Sequence, residues 1–266
     1  MLDLIVNVGT AEAHASVPRG TLALAHRLQA FLTGLQLVRD DVSLLDASEA
    51  IDNPAALEAR AHARRDWWLE LCHEAGVAGD WEVRHGVHID ALAKRSRLAD
   101  FVIGELCVSN SDARAGFDEI SRALFATSSP MLLVPDVWRG ELRAECVVIG
   151  WNGSGTAAHT IKAALPLLQQ AREVRVLDGE RPGLPGISMP PLPLRQWLRR
   201  HQVTAQWEAF EGEPDAGRKL QERAQALDAD LLVVGAWGRS RLSELVLGGA
   251  TRWLLENAAL PLFLAR

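Results

Sequence analysis

The residues with the clearest chemical potential are three glycines that follow an apolar run near the C-terminus. Residues 231–234 are consecutively apolar, which predicts a strand buried on both faces. Gly235 ends this run, Gly238 follows after two residues, and Gly248 follows after nine more. Glycine lets a ligand approach the backbone closely, and the amino end of the helix predicted near Gly248 would offer unpaired N–H groups to an anion. The spacing therefore predicts a phosphate-binding loop at the carboxyl edge of a parallel sheet.

A second polar turn follows the strand predicted at residues 145–150. Asn152, Gly153 and Ser154 come almost directly after it. The Asn152 amide could exchange hydrogen bonds with a bound ligand. Asn-Gly is equally a common turn-forming pair. Both interpretations remain open: ligand binding, or a turn with no other role.

Together the two turns resemble the universal stress protein family. The Gly-x2-Gly-x9-Gly spacing, between residues 230–235 and a closing strand at 260–264, is similar to its C-terminal signature. Residues 147–154 are similar to its first strand and the Asp-Gly-Ser turn that follows. The resemblance covers the second half of the chain and implies a doubly wound α/β domain with strand order 3-2-1-4-5 and an ATP site between strands one and four. Its phosphate glycines correspond to Gly235, Gly238 and Gly248. The residues that we expect at the nucleotide site are Asn152, Gly153, Gly235, Gly238, Arg239, Gly248, Gly249 and Thr251.

Two positions depart from the family pattern. Asn152 stands where the family has an Asp near adenine and ribose, so an anionic acceptor is lost. Gly249 stands where Ser or Thr is usual; its backbone N–H can still donate, and Thr251 could supply a hydroxyl. A backbone cradle needs no particular side chain, so the shape of the loop is retained. The departures lower the expected affinity for ATP, ADP or AMP.

Three large side chains inside the loop each have two interpretations. Arg239 and Arg241 could meet phosphate charge or form a solvated loop face. Trp237 could stack on a base or cover the edge of the sheet. These alternatives stay open.

The chain also repeats its own pattern. An Ala-Asp pair opens a predicted strand at Asp100 and again at Asp230, and Pro130 and Pro261 follow after 30 and 31 residues. This repetition predicts two tandem doubly wound parallel-sheet domains, residues 1–137 and 145–266. The first domain lacks a Gly-x2-Gly pair and has no acidic residue in the turn after its first strand. Any ligand site is therefore expected in the second domain.

Apolar periodicity gives approximate elements within each domain. In the first we expect a helix at 17–33, a strand at 36–45 and one long helix at 54–75. In the second we expect a helix at 156–171, bent at Pro166 because proline removes a backbone donor. Residues 179–193 carry five prolines and are expected to be irregular.

Composition narrows the function classes. A net charge of −6 and a pI near 5.8 argue against a nucleic-acid binder, and no apolar run is long enough to span a bilayer. We expect a cytoplasmic protein. Cys72, Cys107 and Cys146 are too far apart for a metal or redox pair and are expected to be buried and inert, and the histidines show no metal-binding spacing.

Catalytic motifs are missing from the sequence. There is no P-loop lysine, and Gly153-Ser154-Gly155 is not a nucleophile elbow. An enzyme is not expected, although weak ATPase activity stays open. We expect a stress-response protein with an adenine-nucleotide site in its second domain; the alternative is a nucleotide-free interaction scaffold of the same fold.

Assembly is suggested by the two apolar fifth strands, at residues 130–134 and 260–264. Such strands expose unpaired backbone groups at the end of a sheet and tend to pair. The chain could therefore pair its own two fifth strands and form a pseudo-twofold monomer. A homodimer of such chains is the second choice.

Overall fold

The computed structural model describes residues 1–8, 16–38, 54–85, 88–106, 126–127, 129–180, 191–236 and 249–266. They form two compact units, one built mainly from Met1–Glu105 and the other mainly from Pro130–Arg266. Both units consist of parallel strands alternating with helices, so the predicted α/β class is confirmed. The predicted division at residues 138–144 stays a prediction.

In the first unit, four parallel strands have the order β3-β2-β1-β4. Its core consists of the apolar strand residues together with Trp68 and Trp81, whose rings pack over Gly34. A Cβ at Gly34 would lie 2.7 Å from each of these indoles, so only glycine fits beneath them. The elements are β1 (Asp3–Asn7), α1 (Ser16–Leu28), β2 (Phe31–Val38), α2 (Pro54–Ala63), α3 (Arg65–Glu74), β3 (Gly79–His85), α4 (His88–Ser96) and β4 (Phe101–Leu106).

In the second unit, five parallel strands have the order β8-β7-β6-β9-β10, which is the predicted 3-2-1-4-5. The elements are β5 (Met131–Pro135), β6 (Cys146–Trp151), α5 (Gly155–Ala163), α6 (Leu165–Gln170), β7 (Glu173–Asp178), α7 (Leu194–Arg200), β8 (Ala205–Ala209), α8 (Ala216–Ala226), β9 (Leu231–Gly235), α9 (Gly249–Asn257) and β10 (Leu262–Ala265).

The fifth strands of the two sequence repeats pair with each other in this unit. Strand β5 runs antiparallel to β10, with Leu133 opposite Leu262 and Leu132 opposite Phe263. Every residue of both strands is buried. The expected pairing inside one chain is confirmed, and it adds an antiparallel strand to an otherwise parallel sheet. A homodimer stays a prediction.

The first helix and second strand of the first unit differ from their predicted limits. The helix ends at Leu28 rather than residue 33, and β2 begins at Phe31 rather than residue 36. Gln29 ends the helix in a left-handed conformation, with φ 51°, and the Ala30 N–H donates to the Ala25 carbonyl. Glycine or asparagine is the usual signal for such an ending, and glutamine gives none. Predicted strand residues 39–45 lie outside the described residues.

The long helix predicted at 54–75 is instead two helices, α2 and α3, separated at Arg64. The Trp81 indole N–H donates to the Ala61 carbonyl at 2.9 Å. In a continuous helix that carbonyl would accept the N–H of residue 65. At the break the Ala61 carbonyl accepts the Arg64 N–H at 3.3 Å as well as the Trp81 indole N–H from β3, a distant contact that helical periodicity could not reveal. At Pro166 the predicted bend is confirmed as a division between α5 and α6.

The repeated Ala-Asp pair has a structural role at the amino edge of each sheet. Asp230 accepts hydrogen bonds from the backbone N–H groups of Glu145 at 2.8 Å and Cys146 at 3.0 Å. Asp100 accepts one from the Asp3 N–H at 2.7 Å. In both repeats, the aspartate directly before the fourth strand thus accepts backbone N–H groups at the start of the first strand.

We expect Asp230→Ala to lower the free energy of unfolding by about 1–2 kcal/mol, because two partly buried N–H groups lose their acceptor. Asp100→Ala is the matched comparison and should cost less, since Asp100 is exposed and holds one N–H group. Urea denaturation measures both. Equal losses, or none at Asp230, would contradict the assigned role.

Asp230 should also give the protein a defined pH dependence. Burial raises the pKa of Asp230 and outweighs the N–H groups that stabilise its charge. The folded state then binds more protons than the unfolded state, so the contribution of Asp230 is greatest below its ordinary pKa and is lost as pH rises through the raised value. The stability of the wild type relative to Asp230→Asn should therefore fall with pH over this acidic window. Urea denaturation at several pH values measures this difference in unfolding free energy. A difference that rises or stays constant with pH would contradict a raised pKa of Asp230.

Candidate functional site

The candidate site lies at the carboxyl edge of the second unit. Strand β6 is paired to β7 on one side and to β9 on the other. The chain leaves β6 toward β7 and returns later at β9, so the order of strands reverses between β6 and β9. In open α/β sheets, ligands bind in the crevice at such a reversal.

The turn after β6 is built by its own polar side chains. The Ser154 backbone N–H donates to the Asn152 Oδ1 at 3.0 Å, and Gly153 has φ 73°, which favours glycine. The Ser154 hydroxyl then accepts the Ala157 N–H at 3.2 Å and caps α5. The Asn152 oxygen therefore has a clear role in forming the turn.

Gly235 is the point where β9 meets two helices. A Cβ at this position would lie 2.7 Å from the Ala157 nitrogen and 3.0 Å from the Thr156 hydroxyl, both in the first turn of α5. On the other side, the Thr251 hydroxyl in the first turn of α9 donates to the Gly235 carbonyl at 3.2 Å. The amino ends of α5 and α9 thus both approach the end of β9. Their partial positive charges favour an anion at this edge.

Gly249 is the first residue of α9. Among the described residues, a Cβ there would meet nothing within 4 Å, and the same holds at Gly155, the first residue of α5. Thr251 is buried, and its hydroxyl is hydrogen-bonded to Gly235. These contacts assign Thr251 to holding the end of β9, while no described residue would contact a Cβ at Gly249.

Sequence reasoning missed one charged residue at this edge, Glu180. Its Oε2 accepts the Trp151 indole N–H at 2.8 Å, and its Oε1 accepts the Leu192 N–H at 3.2 Å. The carboxylate lies over Gly153, with Oε1 2.6 Å from the position that a Cβ would take. Its place two residues after the second strand of the repeat was the available signal, because acidic residues there often bind ribose in doubly wound sheets.

The structure places five of the eight predicted nucleotide-binding residues around this edge: Asn152, Gly153, Gly235, Gly249 and Thr251. The remaining three, Gly238, Arg239 and Gly248, lie outside the described residues, as do Trp237 and Arg241.

Within the described residues, no group of three or more His, Cys, Asp or Glu side chains could hold a metal ion, and no helix is long and apolar enough to cross a membrane. Cys72 and Cys146 are buried free thiols; burial raises the pKa of Cys72 to about 11 and also raises that of Cys146. Raised values disfavour the reactive thiolate. Cys107 lies outside the described residues.

Comparisons with known proteins agree with the fold of the chain. Residues 145–266 match the model of the Universal stress protein family. No curated protein matches the chain. A universal stress protein from Archaeoglobus fulgidus DSM 4304 is similar over 100% of this chain and 96% of its own, with a TM-score of 0.72 and 11% identity.

Two solved Pseudomonas aeruginosa proteins show the same fold. One is a candidate universal stress protein from strain UCBPP-PA14, with a TM-score of 0.64, 14% identity, and coverage of 100% of this chain and 93% of its own. The other is a functionally unknown protein from strain PAO1, with a TM-score of 0.60, 14% identity, and coverage of 100% and 92%. The likeness spans both sequence repeats.

We expect Gly235→Ala to destabilise the second unit by about 1–3 kcal/mol, because its methyl group would overlap the backbone of α5. Gly249→Ala is the matched control. It adds the same methyl group at the start of a helix, where no described residue would contact it, and should be neutral or slightly stabilising. Urea denaturation midpoints compare the two. Equal midpoints would show that α5 does not constrain residue 235.

Proposed function

We propose that this chain is a stress-response protein whose second unit binds an adenine nucleotide (ATP, ADP or AMP), since residues 145–266 match the model of the Universal stress protein family. We propose Asn152, Gly153, Gly235, Gly238, Arg239, Gly248 and Gly249 as its binding residues, with Thr251 holding Gly235 in place. The role is binding rather than turnover, since the sequence has no P-loop lysine.

The observation that carries this proposal is the approach of two helix amino ends to Gly235. The first turn of α5 lies against the Gly235 Cα, and the first turn of α9 is hydrogen-bonded to its carbonyl. Both helix dipoles favour negative charge there, and no residue in the described part of the chain lies within 4 Å of a Cβ at Gly249, the first residue of α9. A phosphate chain is a natural ligand for backbone N–H groups in such an arrangement.

Affinity should be modest, because two side-chain contacts are missing. Gly249 offers no hydroxyl, and Asn152 is neutral and uses its oxygen within the turn. A single neutral hydrogen bond is worth about 0.5–1.5 kcal/mol, so the absent hydroxyl alone weakens binding by up to about tenfold.

A nucleotide-free interaction scaffold is the second candidate. Two polar groups of the proposed site are already hydrogen-bonded within the protein: the Asn152 oxygen to Ser154 and the Thr251 hydroxyl to Gly235. In this interpretation the glycines serve only the close packing of α5 against β9. Mass spectrometry of the denatured, freshly purified protein separates the candidates, because only the first expects co-purified ATP, ADP or AMP.

We expect ATP to raise the melting temperature of the wild type, since a ligand of the folded state stabilises it by mass action. Gly249→Ser, which adds a hydroxyl at the start of α9 where no described residue would contact it, should bind ATP up to about tenfold more tightly than Gly249→Ala. Gly249→Ala keeps the backbone N–H group and adds volume without a hydroxyl, so this comparison isolates the hydroxyl. Isothermal titration calorimetry measures all three.

If neither the wild type nor Gly249→Ser binds nucleotide, and none co-purifies, the nucleotide proposal is wrong and the scaffold interpretation stands. Equal affinity of the Ser and Ala variants would instead show that phosphate does not reach the start of α9.

A further inference from the structure

We propose that Glu180 binds the ribose of the nucleotide, and that its carboxylate makes the site selective for ribonucleotides over 2′-deoxyribonucleotides. This inference rests on the nucleotide binding proposed above. It adds a residue that the glycine pattern does not include, and it fixes which end of the ligand faces which strand.

Glu180 lies at the same edge of the sheet as the turn after β6. It lies two residues beyond the end of β7, the second strand of this repeat, and β7 is paired to β6 along its length. In doubly wound sheets, an acidic side chain following the second strand is well placed to accept hydrogen bonds from ribose hydroxyls of a ligand whose phosphates lie at the neighbouring turn. Glu180 has this relation to the turn after β6.

The Glu180 carboxylate is held against the turn after β6. Its Oε1, Cδ and Cγ lie 2.6 to 2.8 Å from the position of a Cβ at Gly153. Only glycine leaves this space, and Gly153 also has the positive φ that glycine tolerates. The negative charge therefore reaches the turn from the adjacent strand, while Asn152 within the turn is neutral.

The Glu180 carboxylate has acceptor positions left for further hydrogen bonds. Within the described part of the chain, Oε2 accepts the Trp151 indole N–H and Oε1 accepts the Leu192 N–H. The Glu180 N–H donates to the Asp178 Oδ1, which fixes the backbone. A carboxylate has about four acceptor positions, so about two remain for the 2′- and 3′-hydroxyls of a ribose. Glu180 is half-buried, which leaves the group accessible.

The charges at the edge also orient the ligand. The helix amino ends near Gly235 attract phosphate, whereas Glu180 repels it. The sugar is then favoured on the β7 side and the phosphates on the β9 side. A hydrogen bond to a charged group is worth about 1.5–3 kcal/mol, which corresponds to roughly tenfold to one-hundredfold in affinity.

The test compares ATP with 2′-deoxy-ATP on the full-length protein by calorimetry. The wild type should prefer ATP by at least about tenfold. Glu180→Gln keeps the shape and one acceptor oxygen but removes the charge; its preference should fall to a few-fold through weaker ATP binding, with 2′-deoxy-ATP little changed. Glu173→Gln, at the opposite end of β7, is the matched control and should keep the wild-type preference. A merely structural role of Glu180 would change both affinities equally.

Two results would overturn this inference while leaving the proposed function intact: equal affinity of the wild type for ATP and 2′-deoxy-ATP, or an undiminished preference in Glu180→Gln. If Glu180→Gln fails to fold, Glu180→Asp retracts the charge from the sugar and should reduce the preference; an unchanged preference overturns the inference. If no nucleotide binds the wild type or Gly249→Ser, the proposed function fails and this inference fails with it.

Discussion

The close approach of α5 to the end of β9 is the constraint on which the candidate site depends. It exists because residue 235 has no side chain, so the backbone of Ala157 can lie where a Cβ would otherwise be. The Thr251 hydroxyl holds the same residue from the side of α9. Any side chain at position 235 would separate the helix from the strand and disperse the N–H groups that the two helix ends bring together. The packing of this edge and the approach of the two helix amino ends thus have one cause.

Comparison of the two sequence repeats distinguishes residues that the fold needs from residues that could bind a ligand. Both keep the aspartate that satisfies the start of the first strand, Asp100 in one and Asp230 in the other, because unpaired backbone N–H groups at a strand end cost stability in either unit. Only the second keeps the glycine spacing after its fourth strand. A feature shared by both repeats is therefore best explained by the fold, and a feature confined to one is a better candidate for function.

Most of the fold could be predicted from the sequence because its signals are local. Apolar runs identified strands such as Leu231–Gly235, and Pro166 identified a helix division. The errors arose where distant contacts decide. The Trp81 indole on β3 is hydrogen-bonded to the Ala61 carbonyl beside the helix division at Arg64, and Gln29 ends α1 without the usual glycine. The candidate site divides in the same way: its glycines were visible as a spacing, whereas Glu180 meets the turn at Gly153 only through the pairing of β6 with β7.

Glu180 supplies negative charge at this edge, although Asn152 in the turn is neutral. A carboxylate within the turn would have to be both a turn-former and a ligand acceptor. Here the two tasks fall to different residues: the Asn152 oxygen closes the turn on the Ser154 N–H, and the acceptor charge comes from the next strand, anchored by the Trp151 indole. Residue 152 therefore need not be acidic. Residue 153 must instead be glycine, because glycine alone leaves room for the carboxylate. Gly153 is therefore constrained twice, by its own positive φ and by the group that lies over it.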